Sequence, residues 1–240
     1  MNATSSPKIR DISQKGVLIG LTIIVLWSIC LAFNLTMEVN YASPLPYLMI
    51  LVQMHLFTGL FITAHDAMHG AVSPKQPKLN HFIGKLAATL FLFNSYKTLR
   101  PKHYEHHRFA GTDQDPDFHR GNENFFIWYF QFLKQYLSIW QFLAAAITFN
   151  VGKLFLPQEN WILFWIIPSI LSTFQLFYFG TYVPHMGEQD NPHHATSQRK
   201  NHVWAFLSCY FFGYHYEHHD SPVTPWWLLW KVKEANTERI

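Results

Sequence analysis

Long apolar runs alternate with strongly polar segments along the chain. Residues 17 to 33 and 45 to 64 carry no charged side chain, and each is about long enough to cross a hydrocarbon core roughly 30 Å thick. A third apolar region extends from 128 to 149, and a fourth, uncharged one from 161 to 180. The pattern predicts about four transmembrane helices, the last two joined by a short linker in which Pro157 stops either helix.

Two further apolar segments are less suited to crossing a membrane. Residues 82 to 98 include the charged Lys85 and Lys97, and the segment from 203 to 213 is too short to cross the hydrocarbon core. We expect both to be interfacial or re-entrant within the protein. Because no linker or low-complexity tract divides the chain, residues 1 to 240 are expected to form one all-α integral membrane helical bundle. A soluble helical protein is the alternative, but so short a chain has little interior in which to bury such runs.

The positions of the charged residues predict an orientation. Four crossings place residues 1 to 16, 65 to 124 and 181 to 240 on one side of the membrane. Of the 18 Lys and Arg residues, only Lys153 then falls on the other side. The positive-inside rule makes the first side, with its N-terminal segment, cytoplasmic.

The composition draws attention to histidine. A net charge of +3 gives no sign of a nucleic-acid partner, and an aromatic content of 18% excludes a disordered chain. Two cysteines cannot build a thiolate metal site. The 15 histidines equal the acidic residues in number, and imidazole is the commonest metal ligand in proteins. Any metal must therefore be held by nitrogen or oxygen.

Most of the histidines stand in three groups at the ends of apolar segments, all on the predicted cytoplasmic side. Spacings of three and four residues place the members of each group on one face of a helix. The ligands are too many for one ion and predict two metal ions. A solvated amphipathic surface, the alternative, needs no such concentration. The groups are His65 and His69, then His103, His106 and His107, and finally His215, His218 and His219.

Nitrogen ligation alone leaves copper, zinc and iron open. The chain has no phosphate-binding loop, no GxSxG elbow and no cysteine nucleophile, and the site adjoins apolar, aromatic-rich segments. These features favour oxygen-dependent C–H oxidation of an apolar substrate over hydrolysis.

Several carboxylates lie near the histidine groups. Glu105 and Glu217 fall off the ligand faces and either accept an imidazole N–H or are solvated. Asp66, beside His65, has the same two interpretations. Asp117, in the acidic loop 113 to 117, either orients ligands or closes the mouth of the site, or else belongs to a solvated turn. Asp66 and Asp117 are the candidate catalytic residues.

The order and spacing of the histidine groups resemble the membrane di-iron superfamily of desaturases, alkane hydroxylases and carotenoid-oxygenating enzymes. Within it, the chain is similar to the bacterial and cyanobacterial β-carotene ketolases from about residue 50 to 230. The first group has H-x3-H spacing, whereas carotene hydroxylases have H-x4-H, and this difference favours the ketolases. The chain departs from the ketolase pattern after the last similar segment, at Leu228 to Trp230. The similar segments are HDAMHG (65–70), HHRFAGTDQDPDF (106–118), FGTYVPH (179–185) and YHYEHHDSPVTPWW (214–227).

The resemblance implies a reaction and its cofactors. It implies a non-haem di-iron centre with two Fe, O2, and electrons from an external donor such as ferredoxin. The implied substrate is β-carotene or a related carotenoid, whose ring C4 methylene becomes a ketone, through echinenone to canthaxanthin. The implied location is a bacterial inner or cyanobacterial membrane, with the active site on the cytoplasmic side. His185 is implied as a ninth metal ligand, because the alkane hydroxylases have a lone histidine at the comparable place.

Other functions stay open at this point. A carotenoid hydroxylase, or an alkane or fatty-acyl hydroxylase or desaturase, would use the same metal site. A non-catalytic membrane metal carrier is a third possibility, although transport favours ionisable residues along membrane segments, which the first and fourth runs lack.

Overall fold

The computed structural model describes residues 9 to 237, and all the regular structure there is helical. The first eight residues of the expected cytoplasmic N-terminal segment lie outside this part. One long helix, Gln158–His185, contains two π-helical stretches, Ile162–Ile166 and Tyr178–Tyr182. The helices are α1 (Ile9–Thr36), α2 (Leu45–Met68), α3 (Pro77–Leu90), α4 (Tyr96–Phe109), α5 (Phe125–Tyr136), α6 (Ile139–Gly152), α7 (Gln158–His185), α8 (His202–Cys209), α9 (His215–Asp220) and α10 (Leu229–Thr237).

Three helices in the described part are long and apolar enough to cross a membrane: Ser13–Thr36 within α1, all of α2, and α7. Helix α2 lies at the centre and packs against the other two and against α3. Phe57 is fully buried, and the ring of Trp27 meets it edge-on at 5.3 Å. Helix α3 approaches α2 closely because Gly84 has no side chain. A Cβ atom there would lie 2.6 Å from that of Ala67.

The apolar region from 128 to 149, expected as one crossing, consists of two helices instead. Leu137 is extended, and Ser138 begins α6 with a capping box. The Ser138 side chain accepts from the Gln141 N–H, while the Gln141 side chain accepts from the Ser138 N–H at 2.7 Å. These local hydrogen bonds end one helix and start the next although the side chains on both sides are apolar. Helix α6 is apolar but has only 14 residues.

The two ends of the bundle are marked by contacts between distant parts of the chain. At one end, the hydroxyls of Ser13 and Ser73 lie 3.0 Å apart. At the other, Asn160 donates to the carbonyls of Asn34 and Met37 at 2.9 and 2.8 Å. The chain therefore passes from the first end to the second through α5 and α6.

Two helical hairpins enter the bundle beside α2 from the first end. The α3–α4 hairpin reaches Phe91, which packs on Phe57, and the α8–α9 hairpin reaches Tyr210, which stacks on His55 at 4.3 Å. Residues 82 to 98 and 203 to 213 thus turn back within the helical bundle. Each hairpin reverses at two consecutive residues with positive φ, Leu92–Phe93 and Tyr210–Phe211. This conformation is unfavourable for bulky residues and requires support from the surrounding packing.

Candidate metal centre

The end of α2 supplies the first two imidazoles. His65 lies in the last turn, and His69 caps the helix one turn later, with ring centroids 5.1 Å apart. The turn is held by side chains from the α3–α4 hairpin. Asn80 and Tyr96 both donate to the carbonyl of Ala67 at 2.7 Å. The two histidines are therefore fixed on a turn whose backbone is tied to a neighbouring hairpin.

The two HYEHH segments lie on α4 and α9, the returning helices of the hairpins. Ser95 caps the N-terminus of helix α4, and its side chain accepts from the Thr98 N–H. Helix α9 follows the tight reversal at Tyr210 and Phe211. Each hairpin thereby returns its ligand-bearing face to the end of α2.

His185 reaches the same place from the end of α7. The π-helical turn just before it widens the helix and changes the direction of the residues that follow. The His185 Nδ1–H donates to the carbonyl of His194 at 2.8 Å, which leaves the Nε2 lone pair available. That Nε2 lies 3.0 Å from Nε2 of His215.

The nine expected histidines form two adjacent groups, each with ligand atoms within 4.8 Å of one another. Both returning helices contribute to both groups. The stacked rings of His107 and His219, 4.2 Å apart, join the two groups. Group 1 consists of His65, His69, His103, His107 and His218, and group 2 of His106, His185, His215 and His219.

The nitrogen spacing fits bound metal ions. In group 1 the Nε2 of His218 lies 3.1 Å from that of His65 and 3.0 Å from that of His107. In group 2 the Nε2 of His219 lies 3.0 Å from that of His215 and 3.1 Å from that of His106. Two nitrogens on adjacent positions of one ion, with bonds of about 2.1 Å, are about 3 Å apart.

Burial keeps most of these imidazoles neutral. It lowers the pKa of His69 to about 4 and that of His107 to about 2, with smaller contributions from neighbouring cationic groups. Neutral imidazoles whose lone pairs converge repel each other unless a cation lies between them. The donor set is thus suited to metal ions. Burial, reinforced by the neighbouring histidines, also holds the pKa well below its ordinary value in His103, His215, His218 and His219.

His106 has a carboxylate behind it. Its Nδ1 lies 2.9 Å from Oδ1 of Asp115, which is buried and also accepts from the backbone N–H groups of Gly111 and Asp117. Burial acts to lower the pKa of His106, but the carboxylates of Asp115 and Asp117 raise it overall. A carboxylate at Nδ1 fixes the tautomer and leaves Nε2 directed into group 2.

A cavity of about 900 Å³, counting its open side, borders both groups. Its walls are mostly apolar, and the polar part of its lining includes His65 and His103 of group 1 and His106 and His215 of group 2. Asp117 is the single carboxylate among the lining residues in the described chain. The apolar wall comes mainly from Phe61, Met68, Phe91, Leu92, Leu99, Phe132, Leu133, Leu137, Leu176 and Phe212.

Comparison with known proteins agrees with this centre. The family model for fatty acid desaturases matches residues 42 to 145 and 133 to 240. The chain belongs to the fatty acid desaturase family. The resemblance found in the motifs is confirmed.

Among the curated members similar to this desaturase-family protein are several ketolases. A zeaxanthin 4-ketolase of Chlamydomonas reinhardtii is 43% identical over 75% of this chain and 42% of its own length. A β-carotene 4-ketolase of Protosiphon botryoides is 43% identical over 72% of this chain, which spans 48% of that protein. A β-carotene ketolase of Paracoccus sp. strain PC1 is 39% identical over 90% of this chain and 92% of its own length. The chain thus spans less than half of the first two relatives and most of the third.

The candidate carboxylates take different positions in this desaturase-family centre. Asp66 accepts from the backbone N–H of Trp226 at 3.0 Å and lies 3.5 Å from Nδ1 of His65, so it joins the C-terminal segment to α2. Asp117 lies 3.8 Å from Nδ1 of His106 and accepts from the Tyr136 hydroxyl. Burial, opposed by His106, raises the pKa of Asp117 to about 6.

The two glutamates of the repeated motif do not contact the imidazoles. Glu105 is exposed. Glu217 is buried, but it pairs with Lys233 at 3.0 Å and accepts from the Ser197 hydroxyl. Sequence reasoning did not separate Asp115 from its neighbours and did not find Tyr136. The acidic loop was the only sequence signal for Asp115, and Tyr136 had none.

Proposed function

We propose that this protein is a carotenoid ketolase that oxidises the ring C4 methylene of β-carotene to a ketone. The observation that carries the proposal is the apolar cavity that borders the two histidine groups. A carotene has no charged group, so its binding depends on burial of a long apolar molecule in such a cavity. The ketolase relatives favour this substrate class over an alkyl chain.

We further propose that groups 1 and 2 each hold one iron ion. The ions would supply the O2 activation that oxidation of an allylic C–H bond requires. The nine imidazoles are proposed as the ligands, and Asp66 and Asp115 as groups that orient them. An external one-electron donor of the ferredoxin type is proposed to supply the reducing equivalents.

The proposed reaction takes two rounds at one carbon. Each round uses one O2, two electrons and two protons, places one oxygen atom in a C–H bond and releases the other as water. The second round gives a geminal diol, which loses water to form the ketone. Asp117 and Tyr136 line the cavity together with the imidazoles of both groups, and we propose that they hydrogen-bond the C4 hydroxyl of the first product and hold it for the second round.

We also propose that the chain crosses the membrane four times, with α5 and α6 together forming the third passage and the histidine end facing the cytoplasm. The contacts of Asn160 with Asn34 and Met37, at the end of the bundle away from the histidines, support this count. The exposed Lys153 is the one cation of the proposed outer side within the described residues, which supports the orientation.

The proposal is tested by expression in cells that accumulate β-carotene, followed by mass analysis of the extracted pigments. We expect products with one more oxygen and two fewer hydrogens per ring. His218→Ala is expected to abolish them with the protein still in the membrane, whereas His119→Ala, outside both groups, should retain them. Unchanged β-carotene beside an iron-loaded protein would contradict ketolation and direct the search to alkyl chains.

A further inference from the structure

A second cavity lies between α3 and α4, on the outside of the bundle and separate from the one that borders the histidines. It measures about 820 Å³, counting its open side. Its lining has no acidic residue. The groups that face it are His81, Lys85, Tyr96, Lys97, Arg100 and Tyr104.

The cations of this groove have no acidic partner in the part of the chain that the structure describes. Lys85 and Lys97 are exposed, and no ion pair joins either of them or Arg100 to a carboxylate in residues 9 to 237. Three positive charges held near one another without counter-charges attract an anion. An oxyanion is the matching ligand, because Lys acts as a point charge and Arg donates paired hydrogen bonds.

Arg100 is held in place by its surroundings. Its Nε donates to the carbonyl of Met68 at 3.3 Å, and its guanidinium lies over the Tyr104 ring at 5.3 Å from the centroid. The Tyr104 hydroxyl donates to the same carbonyl at 2.7 Å. The guanidinium is thus fixed beside the end of α2 before any ligand arrives, which reduces the entropy lost on binding.

In the proposed membrane orientation, the groove lies near the depth of the lipid headgroups. Asn80 of α3 meets Ala67 in the last turn of the membrane-crossing helix α2. Lys85 comes five residues later, about 7.5 Å further along α3. Phe82, on the same helix, is 61% exposed, as expected for a lipid contact. A lysine at this depth extends its ammonium group toward the interface.

We propose that this groove binds the phosphate headgroup of an anionic phospholipid. The lysines and Arg100 pair with the phosphate, and the acyl chains lie along the lipid-facing side of α3 beside Phe82. Basic pockets between helices on the cytoplasmic side of a membrane are suited to this ligand class. The inference requires membrane insertion but not ketolase activity.

The test measures lipid association in nanodiscs that contain the full-length, metal-loaded protein. Spin-labelled phosphatidylglycerol is compared with spin-labelled phosphatidylcholine, and the ratio of their association constants reports headgroup selectivity. Lys85→Gln with Lys97→Gln should lower the selectivity by about fivefold for each lysine removed. Lys75→Gln with Lys231→Gln removes two other exposed charges and should leave it unchanged. Lys85→Arg with Lys97→Arg should preserve it.

Three further outcomes would overturn the proposal. Equal loss in both double-Gln variants would mean that the preference for phosphatidylglycerol comes from net charge and not from this groove. Unchanged selectivity together with slower reduction by a ferredoxin would mean that the groove docks an acidic protein.

Adding excess inorganic phosphate distinguishes a lipid headgroup from free phosphate as the source of the bound oxyanion. Retained lipid selectivity in phosphate supports a lipid site, and its complete loss indicates a site for free phosphate.

Discussion

Asp115 and Asp117 are two residues apart and have different surroundings. Asp115 receives three hydrogen bonds, from two backbone N–H groups and from His106. Asp117 has Tyr136 as its hydrogen-bond donor and faces the cavity. One carboxylate therefore fixes a proposed metal ligand, and the other is available to a bound molecule.

Replacing Asp115 by Asn should weaken metal binding. The amide has no charge and supports His106 less well, and loss of such a partner typically costs 10- to 100-fold in metal affinity. We expect the purified variant to lose iron to a chelator faster than the parent, as measured by iron per chain over time. Asp113→Asn, in the same loop but exposed, is the matched control and should behave like the parent. Equal retention of iron by the Asp115→Asn and Asp113→Asn variants would contradict the role of Asp115.

Tyr136→Phe should change the product and not only the rate. Without its hydroxyl, the C4 alcohol of the first round loses a hydrogen-bond partner beside Asp117 and leaves before the second round. We expect 4-hydroxy carotenoids to accumulate at the expense of ketones in chromatographic analysis of the pigments. Tyr129→Phe, which removes a hydroxyl bonded to Thr173 at 2.6 Å, should keep the ratio of alcohol to ketone. A proportional fall of all products in Tyr136→Phe would refute this assignment.

At the scale of helices, apolar run length predicted α1, α2 and α7 well because a membrane helix needs a continuous apolar surface. It failed between 128 and 149, where a local capping box at Ser138 decides the structure. The Ser-x-x-Gln pattern was readable in the sequence, but hydropathy does not register backbone hydrogen bonds. The π-helical turn before His185 had no sequence signal, since it depends on how α7 packs.

The Ser138 cap should contribute measurably to stability. Ser138→Ala removes the acceptor for the Gln141 N–H and should lower the unfolding free energy by about 1 kcal/mol. Ser138→Asp restores an acceptor and should recover most of the loss. Unfolding in mixed detergent, followed by tryptophan fluorescence, gives the comparison. Equal stability of the Ala and Asp variants would show that the cap does not hold this junction.

For the molecule as a whole, sequence spacing singled out eight of the nine histidines that lie together, but not their division into two groups. Helical spacing places His103, His106 and His107 on one face, yet His106 joins a different group from the other two. Such a division depends on how two hairpins dock against α2 and α7. Long-range packing of this kind cannot be obtained from intervals along one chain.

The proposed orientation makes a prediction about chemical access. In a variant with Cys30 and Cys209 replaced, Ala42→Cys should react with a membrane-impermeant maleimide in intact cells. Glu188→Cys, also exposed but on the histidine side, should react only after lysis. If both cysteines react in intact cells, the protein inserts in both orientations. If only Glu188→Cys reacts in intact cells, the orientation is the opposite of the proposed one.

The shared use of α4 and α9 by both histidine groups bears on how the protein matures in a cell. Group 1 needs α2 and both hairpins, and group 2 needs α7 and both hairpins. Under the two-iron proposal, neither ion has its full ligand set until the C-terminal hairpin has been synthesised and docked, so loading comes last. Because binding energy contributes to folding energy in such sites, chains made during iron shortage stay partly open to proteases. The amount of protein in the membrane, and not only its activity, should therefore follow iron supply.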